Sequence, residues 1–324
     1  MPLLLPEGSQ LRNRYQIFKV LDASPLRNIY LVQDLHLRGN TWVAKQILPV
    51  GAESVNSQAV RKRYEQEARA LGQMEHPAIP RLLDYFFIDQ CFYLLREFVP
   101  GTDLRTLLAF EGGSFSEADS LRLTQPIAEL LGFLLQKKAG PSIFRELSLD
   151  SLIITPTGEI KLVDLGFTRL FGKANSLGPV DYASPEQFSG EATDARTLVY
   201  NLGAILYHLI SGFNPGESPF NLEPLDFWAP DTSPATIKIV EKSLQHKPSD
   251  RYSSPEELVK QIKKARTSLQ KGRTKTRAKR EDSDTQPLDG VAPISAWVAA
   301  ALALIFLGVG SYAIYEVLTR GIGG

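Results

Sequence analysis

A single cysteine, Cys91, stands in 324 residues. That scarcity excludes an intramolecular disulfide and a cysteine-rich metal site, and it fits a reducing compartment. Cys91 itself reads as a small buried residue opening a strand. Histidine is almost as rare, and His36, His76, His208 and His246 lie far apart without ligand spacing, so no zinc-type centre is expected. An excess of either charge is also missing: 36 Lys and Arg balance 36 Asp and Glu, which leaves no overall basic field for nucleic acid. What is present is ordinary globular material. Hydrophobic residues at 43% and charged residues at 22% suffice for a large core in one domain or two coupled lobes.

Long apolar runs are absent up to the last thirty or so residues, where Ile294 to Tyr315 ("ISAWVAAALALIFLGVGSYAIY") carries no charge. About 22 residues at ~1.5 Å each cover a hydrocarbon core of about 30 Å, so 294–315 is expected to cross a membrane, with 316–324 as a short tail. The opening "MPLLLPEGSQ" is too short for an export signal and lacks its basic start. Lys263 to Arg280 holds nine basic side chains and no acidic one, and only Arg320 follows the span. By the positive-inside rule the body lies in the cytoplasm and the C-terminus across the membrane. The mixture of Lys, Arg, Thr and Gly reads as a flexible basic juxtamembrane linker, 267–293, able to hold anionic lipid headgroups. Ala296, Ala299, Ala300 and Ala303 are small residues at helix spacing, which permits helix pairing and a homodimer.

The body runs from about 11 to 266. "YQIFKVL", "NIYLVQDL" and "TWVAKQIL" alternate with period two and predict an antiparallel meander. In "SQAVRKRYEQEARALGQM", Val60, Tyr64, Ala68 and Leu71 recur at helical spacing, with Glu67 on or beside that stripe. A carboxylate there needs a partner. Lys45, on the same side of its strand as Val43 and Ile47, is the natural candidate. Two further strands, "RLLDYFF" and "CFYLLREF", precede long helices: "SEADSLRLTQPIAELLGFLLQKKAG" opens on a Ser cap, and "ARTLVYNLGAILYHLISG" is closed by Gly212. Between these helices, "LIIT", "PTGE" and "IKLVD" form a hairpin centred between Thr157 and Gly158, which sets Ser151 roughly opposite Asp164. The fold class is α+β, a β-rich lobe (about 11–98) before a helical lobe (about 99–266), followed by one transmembrane helix.

In order and spacing these residues resemble a bacterial member of the eukaryotic-type (Hanks-type) Ser/Thr protein kinase family. Lys45 stands where the phosphate-binding strand Lys stands, Glu67 where its helix partner stands, and "REFVPGTDL" where the interlobe hinge stands, which brings Glu97 and Phe98 to the nucleotide. Asp164-Leu165-Gly166 resembles the Mg²⁺-binding D-F-G, and Ser184-Pro185-Glu186 resembles A-P-E. Arg251 in "KPSDRY" resembles the buried Arg that pairs with that Glu. The resemblance implies a bilobal kinase fold with ATP and Mg²⁺ as cofactors.

The departures are as orderly as the matches. Where the family reads H-R-D-L-K-P-x-N, this chain has Phe144, Arg145, Glu146, Leu147, Ser148, Leu149, Asp150 and Ser151. The catalytic base position holds Glu146, about one methylene longer than Asp, and ~1 Å of misplacement can cost about a hundredfold in rate. Ser148 removes the lysine that faces the transferring phosphoryl group, and Ser151 is a weak metal ligand in place of asparagine. The glycine-rich strap carries Asp22, Ser24 and Arg27 at its glycine positions and Pro25 between them. Backbone N–H groups can no longer close over phosphates there, Asp22 opposes a polyphosphate, and Arg27 recovers some attraction. Pro179 replaces the Thr that would bond the catalytic Asp, and Leu198 replaces the helix Asp that braces the loop.

Two functional classes follow. The preferred one is a membrane-anchored pseudokinase, a regulatory or scaffolding module with weak or no ATP binding, little Mg²⁺ enhancement and a cytoplasmic protein partner. The alternative is a weakly active, atypical Ser/Thr kinase with Glu146 as base. A different ATP-dependent transferase on the same fold also uses Lys45, Glu67 and Asp164.

Overall fold

The computed structural model of the chain describes residues 4–37, 39–48, 58–137, 147–164 and 181–281. The apolar run 294–315, Glu146, Leu165, Gly166 and Pro179 lie outside the described residues. No helix among the described residues is long and apolar enough to cross a membrane.

The period-two segments form one six-stranded antiparallel sheet: β1 (Gln10–Leu11), β2 (Tyr15–Ala23), β3 (Arg27–Asp34), β4 (Thr41–Ile47), β5 (Leu82–Ile88) and β6 (Cys91–Glu97), in the order β1-β2-β3-β4-β6-β5. Alternation sends side chains to opposite faces. One face gathers Tyr15, Ile17, Tyr30, Val32, Ala44, Phe86, Tyr93 and Leu95. The other carries Ile47, Phe92 and Leu94 against Tyr64 and Ala68 of α1 (Gln58–Gly72), with Val60 and Leu71 at the edge. The apolar stripe read from the sequence is therefore the face by which α1 holds the sheet.

A second, three-stranded sheet marks the lobe junction: β7 (Thr102–Asp103), β8 (Leu152–Ile154) and β9 (Ile160–Leu162). Gly101, at φ +148°, leads into it so closely that a Cβ would stand 2.3 Å from the Ile154 carbonyl oxygen. The hairpin β8–β9 pairs Leu152 with Leu162 and Ile154 with Ile160, and Thr155 N–H bonds the Glu159 carbonyl at 2.9 Å. The connection therefore has three residues and centres on Thr157, half a residue before the expected centre between Thr157 and Gly158. Ser151 in consequence meets Val163, whose N–H it accepts at 2.8 Å, and Asp164 lies one place beyond.

The helical lobe consists of α2 (Leu104–Phe110), α3 (Glu117–Gln136), α4 (Pro185–Ser189), α5 (Ala195–Ser211), α6 (Leu225–Trp228), α7 (Pro234–Ser243) and α8 (Pro255–Glu281). Ser116 caps α3 through the Asp119 N–H, and Gly212, at φ 73°, ends α5. A single cluster including Leu121, Leu131, Leu149, Leu198, Leu202, Ile205 and Ile262 fills this lobe. The basic run departs from its expected form: α8 continues through it to Glu281, so the segment expected as a flexible linker from 267 begins as helix. Ile262 and Ala265 are buried and Leu269 is packed against the core, which anchors the start of that stretch. Burial of an apolar stripe outweighs a composition that by itself suggests a tether.

Candidate functional site: an ion-paired cleft between the lobes

Strand register decides which side chains face the cleft. Lys45 pairs with Ile29 on β3 and Leu94 on β6, Ile47 pairs with Arg27 and Phe92, and Val43 pairs with Leu31 and Arg96. Cross-strand partners share a face, so Arg27, Lys45 and Arg96 all project from the side that carries α1. Their common counterpart is Asp164. Lys45 Nζ lies 2.8 Å from its Oδ1 and 2.6 Å from Oδ2, and Arg27 Nη1 lies 2.9 Å from Oδ2. The sequence reading paired Lys45 with Glu67; the ion pair described for Lys45 is with Asp164. Glu67 sits half-buried on α1, as its position beside the stripe implied.

Burial would raise the Asp164 carboxyl, but Lys45 and Arg27, with Arg96 behind them, outweigh it and hold the group at about 2. Burial pushes the Arg96 guanidinium down to about 10, Asp164 resists that fall, and Arg27 adds to it. Arg96 is the functional side chain that sequence reasoning passed over. The signal was available: an arginine two places after Leu94 in an otherwise apolar strand must point to Leu94's face.

The strap between β2 and β3 satisfies its own backbone. Ser24 N–H donates to the Arg27 carbonyl at 2.8 Å, and the Leu26 and Arg27 N–H groups donate to Ser24 Oγ at 3.4 and 3.2 Å. Pro25 has no N–H, so each donor at the tip is used or missing. Asp22 is exposed and meets Arg27 Nη2 only at 3.5 Å. At the hinge, Glu97 turns its carboxylate to Arg81, 2.7 Å from Nε, and Phe98 is exposed. Burial raises Glu97, and Arg81 more than reverses this.

In the loop below the cleft, Ser151 Oγ donates to the Ser148 carbonyl at 2.7 Å and accepts the Ser148 N–H at 3.2 Å, closing a short 3₁₀ turn over the buried Leu149. Ser148 is half-buried beside it. Arg105 on α2 ties this loop to the next segment through Asp150 at 2.8 Å and Asp181 at 2.9 Å. Farther down, Glu186 and Arg251 form a buried, two-pronged ion pair at 2.7 and 2.9 Å, with Thr197 Oγ1 donating to the same carboxylate, as the order of motifs implied. Leu198 is fully buried in the core where the family's bracing Asp would stand.

A hard divalent cation needs carboxylate lone pairs. Lys45 and Arg27 occupy those of Asp164, the Ser151 hydroxyl is engaged by its own turn, and among the described residues no group of three His, Cys, Asp or Glu could hold a metal ion. In this arrangement both oxygens of Asp164 are engaged by cations. The cations, by contrast, suit phosphate oxygens.

The protein kinase domain model matches residues 32–265, more than half of the chain, and the chain belongs to that family. Among curated relatives, the Bacillus subtilis serine/threonine-protein kinase PrkC is 26% identical over 275 residues, covering 80% of this chain and 41% of its own. The Mycobacterium tuberculosis serine/threonine-protein kinase PknB is 26% identical over 274 residues, 77% of this chain and 42% of its own. The chain thus spans about two-fifths of the curated relatives it matches. The kinase domain of Mycobacterium tuberculosis PknI superposes with a TM-score of 0.68 at 21% identity over 81% of this chain and 99% of that one, a likeness of fold.

Proposed function

We propose that this protein is a membrane-anchored pseudokinase, a kinase-shaped regulatory or scaffolding module that binds a cytoplasmic protein partner. The observation that carries the reading is Asp164 held by Lys45 and Arg27. The carboxylate that would bind metal in a working phosphoryl-transfer site is instead shared between one lysine and one arginine. Phosphoryl transfer depends almost wholly on positioning and charge stabilisation, so a strap without free donors and a metal position taken by a guanidinium both remove rate. The intact Glu186–Arg251 pair and the packed helical lobe support a retained kinase shape. Anchoring through 294–315, with the body inside and Lys263–Arg280 near anionic lipid, rests on apolarity and charge placement.

The second reading, weak kinase activity with Glu146 as base, is favoured by the retention of Lys45 and Asp164 in one cleft. Incubating the full-length chain with radiolabelled ATP and Mg²⁺ or Mn²⁺, beside a Lys45→Ala control, separates the two. No label above the control is expected. Label that disappears in the control overturns the pseudokinase reading.

A further inference from the structure

Away from the cleft, the helical lobe holds a cavity of about 350 Å³ between α5, α7 and the segment that joins α5 to α6. That is room for one large side chain or a small ligand. Leu225 and Val240 are buried and give it apolar surface. Tyr200 and Tyr207, seven residues apart and so on one face of α5, wall it together with Phe220, whose ring centre lies 6.4 Å from that of Tyr200. The Tyr207 hydroxyl donates to the Glu223 carbonyl at 3.0 Å. The Tyr200 side chain is only 5% exposed, yet its hydroxyl makes no hydrogen bond among the described residues. A buried hydroxyl without a partner is costly, and the space this tyrosine lines is the cavity. Phe220 holds a left-handed backbone, φ 65°, which a bulky residue rarely adopts, and its ring is seated by Phe188 at 5.6 Å and His246 at 6.4 Å. Glu223 and Glu241 also line the cavity, exposed and without an ion pair among the described residues, and no lysine or arginine is among the lining side chains. Arg251, 4.8 Å from the centre of the Tyr200 ring, is already neutralised by Glu186. Aromatic walls, a free phenol and two unbalanced carboxylates together suit a cation on an apolar stem.

We propose that this cavity is the docking site for an arginine side chain presented by the cytoplasmic protein partner. A guanidinium is planar, stacks on aromatic faces and carries five donors, so it can meet the Tyr200 oxygen and the two carboxylates at once; an ammonium is a point charge with three. Its methylenes lie on the apolar surface of Leu225 and Val240, and Glu223 and Glu241 balance its charge. Arginine is also among the residues that carry most of the energy of protein interfaces. The site needs neither metal nor nucleotide. The inference rests on the scaffolding reading above and deepens it, because it names the face and the chemistry by which a partner is held.

Ligand-observed NMR titration of the full chain in detergent, with acetyl-Leu-Arg-Leu-amide and its citrulline and lysine counterparts, tests this. The arginine peptide is expected to saturate with a Kd of about 1 mM, the scale of a single anchored side chain. The citrulline peptide, neutral and of nearly the same shape, should bind at least about tenfold more weakly, and the lysine peptide several-fold more weakly. Glu223→Gln and Glu241→Gln, both at exposed positions, should each weaken the arginine peptide about threefold at an unchanged melting temperature, and added salt should weaken it further. Tyr200→Phe removes only the hydroxyl and should cost about fivefold. Equal binding of the arginine and citrulline peptides, affinity indifferent to these three substitutions, or no saturation overturns the proposal. Spermidine binding more tightly than the arginine peptide would make this a small-amine site. Self-association of the chain that Glu223→Gln and Glu241→Gln abolish would assign the cavity to a second copy. Either result overturns the assignment to a partner protein. Phosphotransfer measured on the same preparation keeps the two ideas apart. Turnover would sink the pseudokinase reading and leave the cavity standing, whereas failure of the arginine peptide to bind would sink this inference and leave the catalytic reading untouched.

Discussion

Arg251 shows how one side chain can hold a lobe together without touching the cleft. Its guanidinium bonds both oxygens of Glu186 and the carbonyls of Gln245, His246 and Arg196, and its face lies 4.8 Å from the centre of the Tyr200 ring, so this buried charge meets acceptors and a π face. Arg251→Met leaves Glu186 buried and unpaired, and a loss of about 3–5 kcal/mol in chemical denaturation is expected. A loss below about 1 kcal/mol would show that the lobe does not depend on the pair. His208 on α5 makes a different prediction. Burial, with Arg105 nearby, lowers it from 6.5 to about 4, and Tyr182 OH lies 2.7 Å from its Nδ1. The unfolded chain takes up this proton near pH 6.5 and the folded chain only near pH 4, so stability falls as pH falls across that window. The loss is on the order of 3 kcal/mol. A His208→Gln variant, compared by thermal unfolding, should lose less stability than the parent between pH 6.5 and 4; parallel curves would remove the assignment.

Among the elements, the strap and the loop under the cleft decide whether chemistry can be restored. The strap's substitutions are written in its sequence, but the self-bonded turn at Ser24 follows from how β2 and β3 twist together, and that pairing contains two register shifts. Likewise Ser151 was legible as a changed ligand, whereas its commitment to Ser148 depends on a 3₁₀ turn packed over Leu149. Restoring Glu146→Asp, Ser148→Lys and Ser151→Asn together is therefore expected to leave autophosphorylation and generic-substrate turnover at background. Arg27 still covers Asp164 and Leu198 still lacks a carboxylate to brace the loop. Robust turnover from the triple variant alone would mean that the lobes already hold an active geometry. Glycine at Asp22, Ser24 and Arg27 in the same background is the comparison that isolates the strap. Gly101 belongs to this scale as well, because it joins the hinge to β7 against the backbone of β8; Gly101→Ala should cost at least about 2 kcal/mol, read as a lower melting temperature.

For the whole molecule, the order of strands, helices and motifs along the chain was enough to read two lobes and the family, because period-two and helical repeats report which face of each element is buried. The sequence alone also carries the membrane expectation, since 22 or so uncharged residues and a basic flank are properties of composition and position. A reporter placed after the apolar run should score as lying across the membrane from the kinase-like body, and a cytoplasmic signal would reverse the topology. Tertiary structure alone decided the partners. Asp164, 119 residues beyond Lys45, forms an ion pair with the lysine that no pattern in either segment announced, and Arg27 crosses from strap to hairpin to join it. Arg96 became part of the cleft only once β6 was registered against β4. The physical reason is common to these cases. Periodicity tells which way a side chain points, but a buried charge is stabilised by whichever opposite charge the packed lobes bring within about 3–4 Å, and no local repeat encodes that distance.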